Sequence, residues 1–175
     1  ADGTLHVFNA KTIVLATGGI TRCWAVCSGS WEYTGEGHAL AYWVGAEMGD
    51  MEFLQFHPTG MIWPTSVKGI LVTEGVRGEG GVLRNSEGER FMFNYVPEMY
   101  ASEFADTEDE AMQWVEEVVS GQQATVRRPP ELLTRDVVAK AINSEREAGR
   151  GSEHGGVYLD ISWQDSEHVR KKLPG

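Results

Sequence analysis

The chain is poor in cations. Fifteen Lys and Arg stand against 26 Asp and Glu in 175 residues, a formal net charge of −11. Bulk electrostatics therefore exclude nucleic acid and anionic membrane surfaces as partners. A small anionic substrate stays open, because local cations overrule net charge at a site. No apolar run approaches the roughly 18 to 20 residues of a membrane-spanning helix, and no secretory signal pattern is visible. Cysteine is scarce: Cys23 and Cys27 are spaced C-x3-C. That is not the CxxC of thiol redox sites, and no second Cys pair completes a zinc set, so no metal site is expected. Packed or idle thiols in a reducing compartment are the reading. An initiator Met is also missing. The chain opens on Ala1-Asp2-Gly3-Thr4 and closes on Leu173-Pro174-Gly175 without a capping signal, so both ends read as cut from a longer protein.

Glycine is abundant, at 21 residues, and sits in clusters such as Gly18-Gly19 and Gly78-Glu79-Gly80-Gly81. Clustered glycine implies tight turns and close backbone approach. Hydrophobic residues at 41% and charged residues at 23% give the composition of a globular domain.

Thr12 to Thr17 is an apolar β-run stopping at Gly18-Gly19, as strands of parallel sheets do. Thr34-Gly35-Glu36-Gly37 opens a helix whose apolar residues run to Met48, with Gly49 as its stop. Met51–Phe56 and Lys68–Thr73 read as strands. Val82-Leu83-Arg84 and Glu89-Arg90-Phe91-Met92 flank a hairpin turn. Thr107-Glu108-Asp109-Glu110 is a capping box opening a helix with Ala111, Trp114, Val115, Val118 and Val119 on its apolar face. A further helix runs from about Asp136 to Ala148, and Gly156–Ile161 is a last strand. The fold class is α/β up to about residue 52, then a separate α+β domain over 53–175.

Several places carry candidate chemistry. Ala16-Thr17-Gly18-Gly19 ends a strand in small residues, either as an ordinary turn or as backbone that lets a phosphorylated ligand come close. Glu36 at a helix start is either a cap or an acceptor for ribose hydroxyls. His57 before a proline is a packed residue or a ligand donor. The segment Thr73-Glu74-Gly75-Val76-Arg77-Gly78-Glu79-Gly80-Gly81 concentrates two carboxylates, a guanidinium and glycines more densely than a structural loop needs. Arg135 falls in the first turn of its helix, where the dipole disfavours a cation. Either Asp136 offsets that, or Arg135 points at an anion. An arginine moves a proton only when a strongly coupled partner lets it exchange.

These blocks, with Gln55-Phe56-His57-Pro58-Thr59-Gly60, Asn85 through Met92 and Arg135-Asp136-Val137-Val138-Ala139, occur in one order that resembles the flavoprotein subunit of succinate dehydrogenase and fumarate reductase. The resemblance runs from Thr12 to about Ile161. It implies an FAD-dependent oxidoreductase interconverting succinate and fumarate, with hydride transfer at flavin N5. Residues 1–52 would be part of a Rossmann-like FAD-binding domain. Residues 53–175 would be the capping domain that closes over substrate, with an insertion near 100–130. His57 and Thr73 match substrate-binding residues. Arg135, Glu74 and Arg77 match the proton path, with Arg135 as the shuttle. Glu36 and Ala16, Thr17, Gly18 and Gly19 match the cofactor contacts.

The implied partners are a dicarboxylate, membrane-anchor subunits and an iron–sulfur subunit, at the cytoplasmic face of the inner or plasma membrane. The Gly-x-Gly-x-x-Gly fingerprint and the flavin-linking His are expected before Ala1. A second substrate His and a substrate Arg are expected after Gly175, and neither His154 nor His168 sits in a matching motif. The 175 residues alone are therefore expected to be inactive, in the limit a non-catalytic cap. An L-aspartate oxidase-like flavoenzyme is the rival reading, disfavoured by Gly60 and by the Gly75 and Gly81 pattern.

Overall fold

The computed structural model describes residues 2–174. Ala1 and Gly175, on which the reading of cut ends rested in part, lie outside the described residues. Contacts divide the chain into two units, Ala1–Glu52 and Phe53–Gly175.

In the first unit the expected strand over residues 12–17 does not form, and Ile13 and Val14 are 76% and 84% exposed. A strand exists through its ladder, and no neighbour among the described residues supplies one. Helix α1, Glu36–Trp43, begins where expected, behind Gly35 at φ 90°. It stops before the expected Gly49. Gly45, at φ 92°, donates to the Tyr42 carbonyl at 3.0 Å, and the next amide, Ala46, donates to the Ala41 carbonyl at 3.0 Å. That pair is a Schellman motif, which ends a helix at the first glycine able to go left-handed.

The second unit holds α2 (Gly75–Gly78), β1 (Val82–Arg84), α3 (Glu108–Val119), α4 (Arg135–Glu147), β2 (Tyr158–Asp160) and α5 (Ser166–Lys172). Strands β1 and β2 pair antiparallel, Leu83 opposite Leu159. The turn after β1 forms as expected: the Asn85 side-chain oxygen accepts from the amides of Glu87 and Glu89 at 3.1 and 3.0 Å. The return strand is reduced to one bridge, Arg84 to Arg90, and the chain then coils into a 3-10 turn over Phe91–Tyr95. Phe91 and Met92 are both fully buried in one cluster, whereas consecutive strand residues point to opposite faces.

Residues 51–56 form no strand. Lys68–Thr73 contributes only a short antiparallel pairing, with Gly60 opposite Leu71. Met61 donates to the Ile70 carbonyl and Val72 to the Thr59 carbonyl, both at 2.8 Å.

The core packs Leu83, Phe91, Met92, Phe104, Leu133, Val138 and Ala141 together. Each large side chain buried this way contributes about 1.5–3 kcal/mol. Thr107 caps α3 by accepting from the Glu110 amide at 3.3 Å; the reciprocal bond to Glu110 comes from Asp106, one residue earlier than the capping-box pattern expects. Of the expected α3 face only Ala111 and Val115 are buried. Helix α5 was not expected. Asp165 caps it through the His168 amide at 2.9 Å, and Arg170, Lys171 and Lys172 occupy its last turn, where the dipole favours cations.

Candidate active site

The densest cluster of candidate side chains is built from α2, the start of α4 and the loop before the Thr59 pairing. The short helix α2 lies between a hydroxyl and a glycine pair. Thr73 Oγ1 accepts from the Gly75 amide at 3.3 Å, so this hydroxyl already shapes the turn that presents Glu74. At the other end Gly80 takes φ 99°, and a Cβ there would meet Trp163 at 2.4 Å and Val115 at 2.7 Å. A Cβ on Gly81 would meet the Val76 carbonyl at 2.8 Å. Gly80 and Gly81 are thus required by packing beneath the helix, whereas a Cβ at Gly75 or Gly78 would meet nothing closer than ordinary contact. Glu79, its second carboxylate, pairs with His168 at 2.7 Å, and its carbonyl accepts from Gln164 at 2.9 Å. It therefore ties α5 to the motif. His154 stacks on Trp63 with ring centroids 4.3 Å apart. Both histidines left without a role by sequence have packing partners.

The first half of the motif meets Arg135. As expected, Arg135 is the first residue of α4. Its Nε lies 3.3 Å from Glu74 Oε2, and its Nη1 donates to Gln55 Oε1 at 3.2 Å. Glu74 Oε2 also lies 3.7 Å from Arg77 Nη2. One carboxylate oxygen therefore links two guanidiniums. Asp136 does not neutralise Arg135. Its carboxyl is held below the usual range chiefly by the Thr134 hydroxyl, and it faces Lys140 at 3.8 Å. Asp136 does stand in the first turn of α4, and the ion-pair partner of Arg135 is Glu74.

Arg77 is 1% exposed, and its Nη1 donates a short hydrogen bond to the Glu131 carbonyl. Among the described residues its Nε and Nη2 have no hydrogen-bond acceptor. Burial pushes the Arg77 guanidinium below its ordinary value, with Arg135 adding repulsion and Glu74 and Glu131 opposing. Glu131 is fully buried and is itself clamped: Arg90 Nε and Nη2 reach its two carboxylate oxygens at 2.7 and 2.8 Å. This bidentate pair neutralises both charges and fixes the carbonyl that holds Arg77. Sequence reasoning gave no role to Gln55, Arg90 or Glu131. The available signal was Glu131 inside the run Pro129-Pro130-Glu131-Leu132-Leu133, since a carboxylate buried among such residues must be paired.

His57 is half-buried beside this cluster. Burial first, then the charges of Arg135 and Arg77, hold its pKa below the ordinary histidine value. Two guanidiniums against one carboxylate leave the trio with one net positive charge, which suits an anionic ligand. Arg135 can offer a charged fork, and His57 and Thr73 can offer neutral hydrogen bonds.

In the first unit Glu36 is exposed and accepts a short hydrogen bond from the Thr34 hydroxyl, which holds its carboxyl low. The N-cap of α1 is Gly35, with no side-chain cap bond. A Cβ on Gly37 would overlap Thr17 Oγ1 at 1.8 Å, so the segment ending in Gly18-Gly19 lies directly against the helix start. Backbone donors of an uncapped helix, a glycine at φ 75° at position 18 and one carboxylate fit one edge of a dinucleotide site.

Comparison with known proteins defines the class. The whole chain, residues 1–175, matches the family model described as FAD binding domain. It is 44% identical over 166 residues to a subunit of the CoM/CoB fumarate reductase of Methanothermobacter marburgensis, covering 95% of this chain and 25% of that one. It is 36% identical over 178 residues to the mitochondrial succinate dehydrogenase [ubiquinone] flavoprotein subunit of Oryza sativa subsp. japonica, covering 99% of this chain and 22% of that one. Among solved structures, Mycobacterium smegmatis Sdh1 in complex with UQ1 superposes with TM-score 0.62 at 53% identity, over 96% of this chain and 23% of that one. The chain spans about a quarter of the length of the relatives it matches. It belongs to the FAD-binding family of succinate dehydrogenase and fumarate reductase flavoproteins. Its cofactor is FAD.

Proposed function

We propose that the protein to which these residues belong interconverts succinate and fumarate, and that Phe53–Gly175 acts as the capping domain holding the dicarboxylate. The observation that carries this reading is the line Arg77–Glu74–Arg135, one carboxylate oxygen shared by two arginines. FAD, when bound, supplies the acceptor or donor of a hydride. The protein must then handle the proton on the adjacent substrate carbon. Arg135 gives or takes that proton. Glu74, half in solvent, exchanges it with Arg135, and Arg77 relays it in turn. The depressed Arg77 makes a guanidinium in this line easier to deprotonate than one in water. His57 and Thr73 hold carboxylate oxygens by hydrogen bonds, and Arg135 adds charge. Glu36 and Ala16, Thr17, Gly18 and Gly19 hold one side of FAD.

The relatives are named as subunits. That supports partner subunits for this protein as well; an iron–sulfur subunit, membrane-anchor subunits and attachment to the cytoplasmic face of the membrane through them rest on the family resemblance. No helix among the described residues is long and apolar enough to cross a membrane. Steady-state assays of the full-length protein test the reading: it predicts turnover with succinate plus an electron acceptor, or with fumarate plus a donor. Oxidation of L-aspartate by oxygen, with neither of those activities, would replace it with the aspartate oxidase reading.

A further inference from the structure

We infer that Thr59 is a positioning residue that holds His57 as a neutral imidazole with its proton on Nε2, so that His57 meets a substrate carboxylate as a hydrogen-bond donor and not as a cation. The inference rests on the dicarboxylate reading above. Its structural part stands on the short antiparallel pairing around Gly60.

The Thr59 backbone N–H donates to His57 Nδ1 at 3.3 Å. A backbone N–H can only donate, so the nitrogen facing it must carry a lone pair. An imidazolium has a hydrogen on both nitrogens and cannot accept that bond. The competing contact is weaker. Thr59 Oγ1 lies 3.5 Å from Nδ1 and could accept from an Nδ1–H. Moving the proton to Nδ1 would favour that long contact while setting two N–H groups against each other at the shorter one.

Thr59 cannot turn away to relieve the conflict. It is 6% exposed, and its hydroxyl donates to the Val72 carbonyl at 2.9 Å. Its own carbonyl accepts from the Val72 amide at 2.8 Å. Pro58 between the two residues restricts the backbone further. The charged groups facing His57 act in the same direction. Arg77 on α2 and Arg135 at the start of α4 oppose a third cation, while Glu74 and, more weakly, the Thr59 backbone favour one, so that burial and the two arginines prevail.

A histidine binding as a cation would lose its ligand as pH rises through about 6.5, its ordinary value. A neutral donor keeps its proton on Nε2 through neutral and alkaline pH. The charge that attracts a dianion is then left to the arginines. His57 contributes direction, and Val72, next to Thr73, is the anchor that sets it.

The test needs no turnover. Long-range 1H–15N spectra of holoenzyme containing 15N-histidine, with His57 identified by its loss in His57→Gln, should show at pH 7 a protonated Nε2 and an unprotonated Nδ1. A proton on Nδ1, or on both nitrogens, would overturn the inference. Thr59→Val keeps the backbone donor and removes the hydroxyl bond to Val72. It should raise the dicarboxylate KM about fivefold, the scale of one hydrogen bond, with kcat within about twofold. Thr59→Ser should restore KM. An unchanged KM in Thr59→Val would overturn the positioning role. Wild-type protein inactive on dicarboxylates would count against the proposed function alone, since the spectrum reads the tautomer either way.

Discussion

Replacing Arg135 by Lys separates a proton-carrying arginine from a helix-start ornament, because the two roles predict effects of different size. Arg135 makes two polar contacts, to Glu74 at 3.3 Å and to Gln55 at 3.2 Å. Both are solvent-exposed, with the Arg135 and Glu74 side chains 43% and 50% accessible. Exposed pairs of this kind contribute about 0–1 kcal/mol. Lys reaches one partner and loses the fork, so stability should change by less than about 1 kcal/mol, a shift of a few degrees in Tm at most. The positive charge survives, so dicarboxylate affinity should change little. What lysine cannot reproduce is the planar donor that the proposed shuttle needs between Glu74 and a substrate carbon. General acid–base catalysis is worth about 10²–10⁴-fold, or roughly 3–5 kcal/mol in the barrier. The assay is kcat for succinate and fumarate in the full-length variant, with dicarboxylate affinity from calorimetry and the unfolding midpoint as controls. A kcat within about threefold of wild type would refute the shuttle role. A large loss in Tm would mean that Arg135 is structural after all.

Four further outcomes are expected. His57→Ala should weaken dicarboxylate binding by about 1.5–3 kcal/mol, read as KM, because a hydrogen bond to a charged group is lost. Glu131→Gln should leave Arg90 buried without its counter-charge and cost about 3 kcal/mol in denaturant unfolding; a cost below about 1 kcal/mol would contradict the Arg90–Glu131 clamp. Glu145, buried and held by Arg150, Tyr95 and Asn85, has its pKa lowered to about 2. Its contribution is fully present above the ordinary carboxylate value and is lost as pH falls towards 2, so Glu145→Gln should flatten the acid limb of the stability–pH curve, checked by urea unfolding between pH 2 and pH 5. The 175 residues expressed alone should purify without flavin absorbance and without turnover, and a stoichiometric yellow preparation would show otherwise.

The local signals that carried through were those that a few residues satisfy among themselves. The Thr107 cap, the Asn85 turn and the span of α4 were legible because their hydrogen bonds close within a turn or two. The proximity of Arg135 to Glu74 was legible only through the family resemblance, since no local pattern connects residues so far apart in sequence. The strand over residues 12–17 failed for the opposite reason: apolar β-branched residues indicate a strand but do not supply its partners. The return strand of the hairpin failed because Phe91 and Met92 both enter the core, a tertiary demand invisible in an alternation pattern. The pairing of Arg90, read only as part of the hairpin, with Glu131 was missed because no local pattern joins residues so far apart in sequence. Helix α5 was missed although Asp165 and the basic run at its end were in view.

The central claim is that Glu74 connects two arginines into a path for the substrate proton, and anaerobic stopped-flow reduction of the flavin by succinate in Glu74→Gln holoenzyme tests it most directly. The account predicts normal dicarboxylate binding, seen as the usual perturbation of the flavin spectrum, followed by reduction at least about 100-fold slower than wild type. Reduction at a near-normal rate would contradict it.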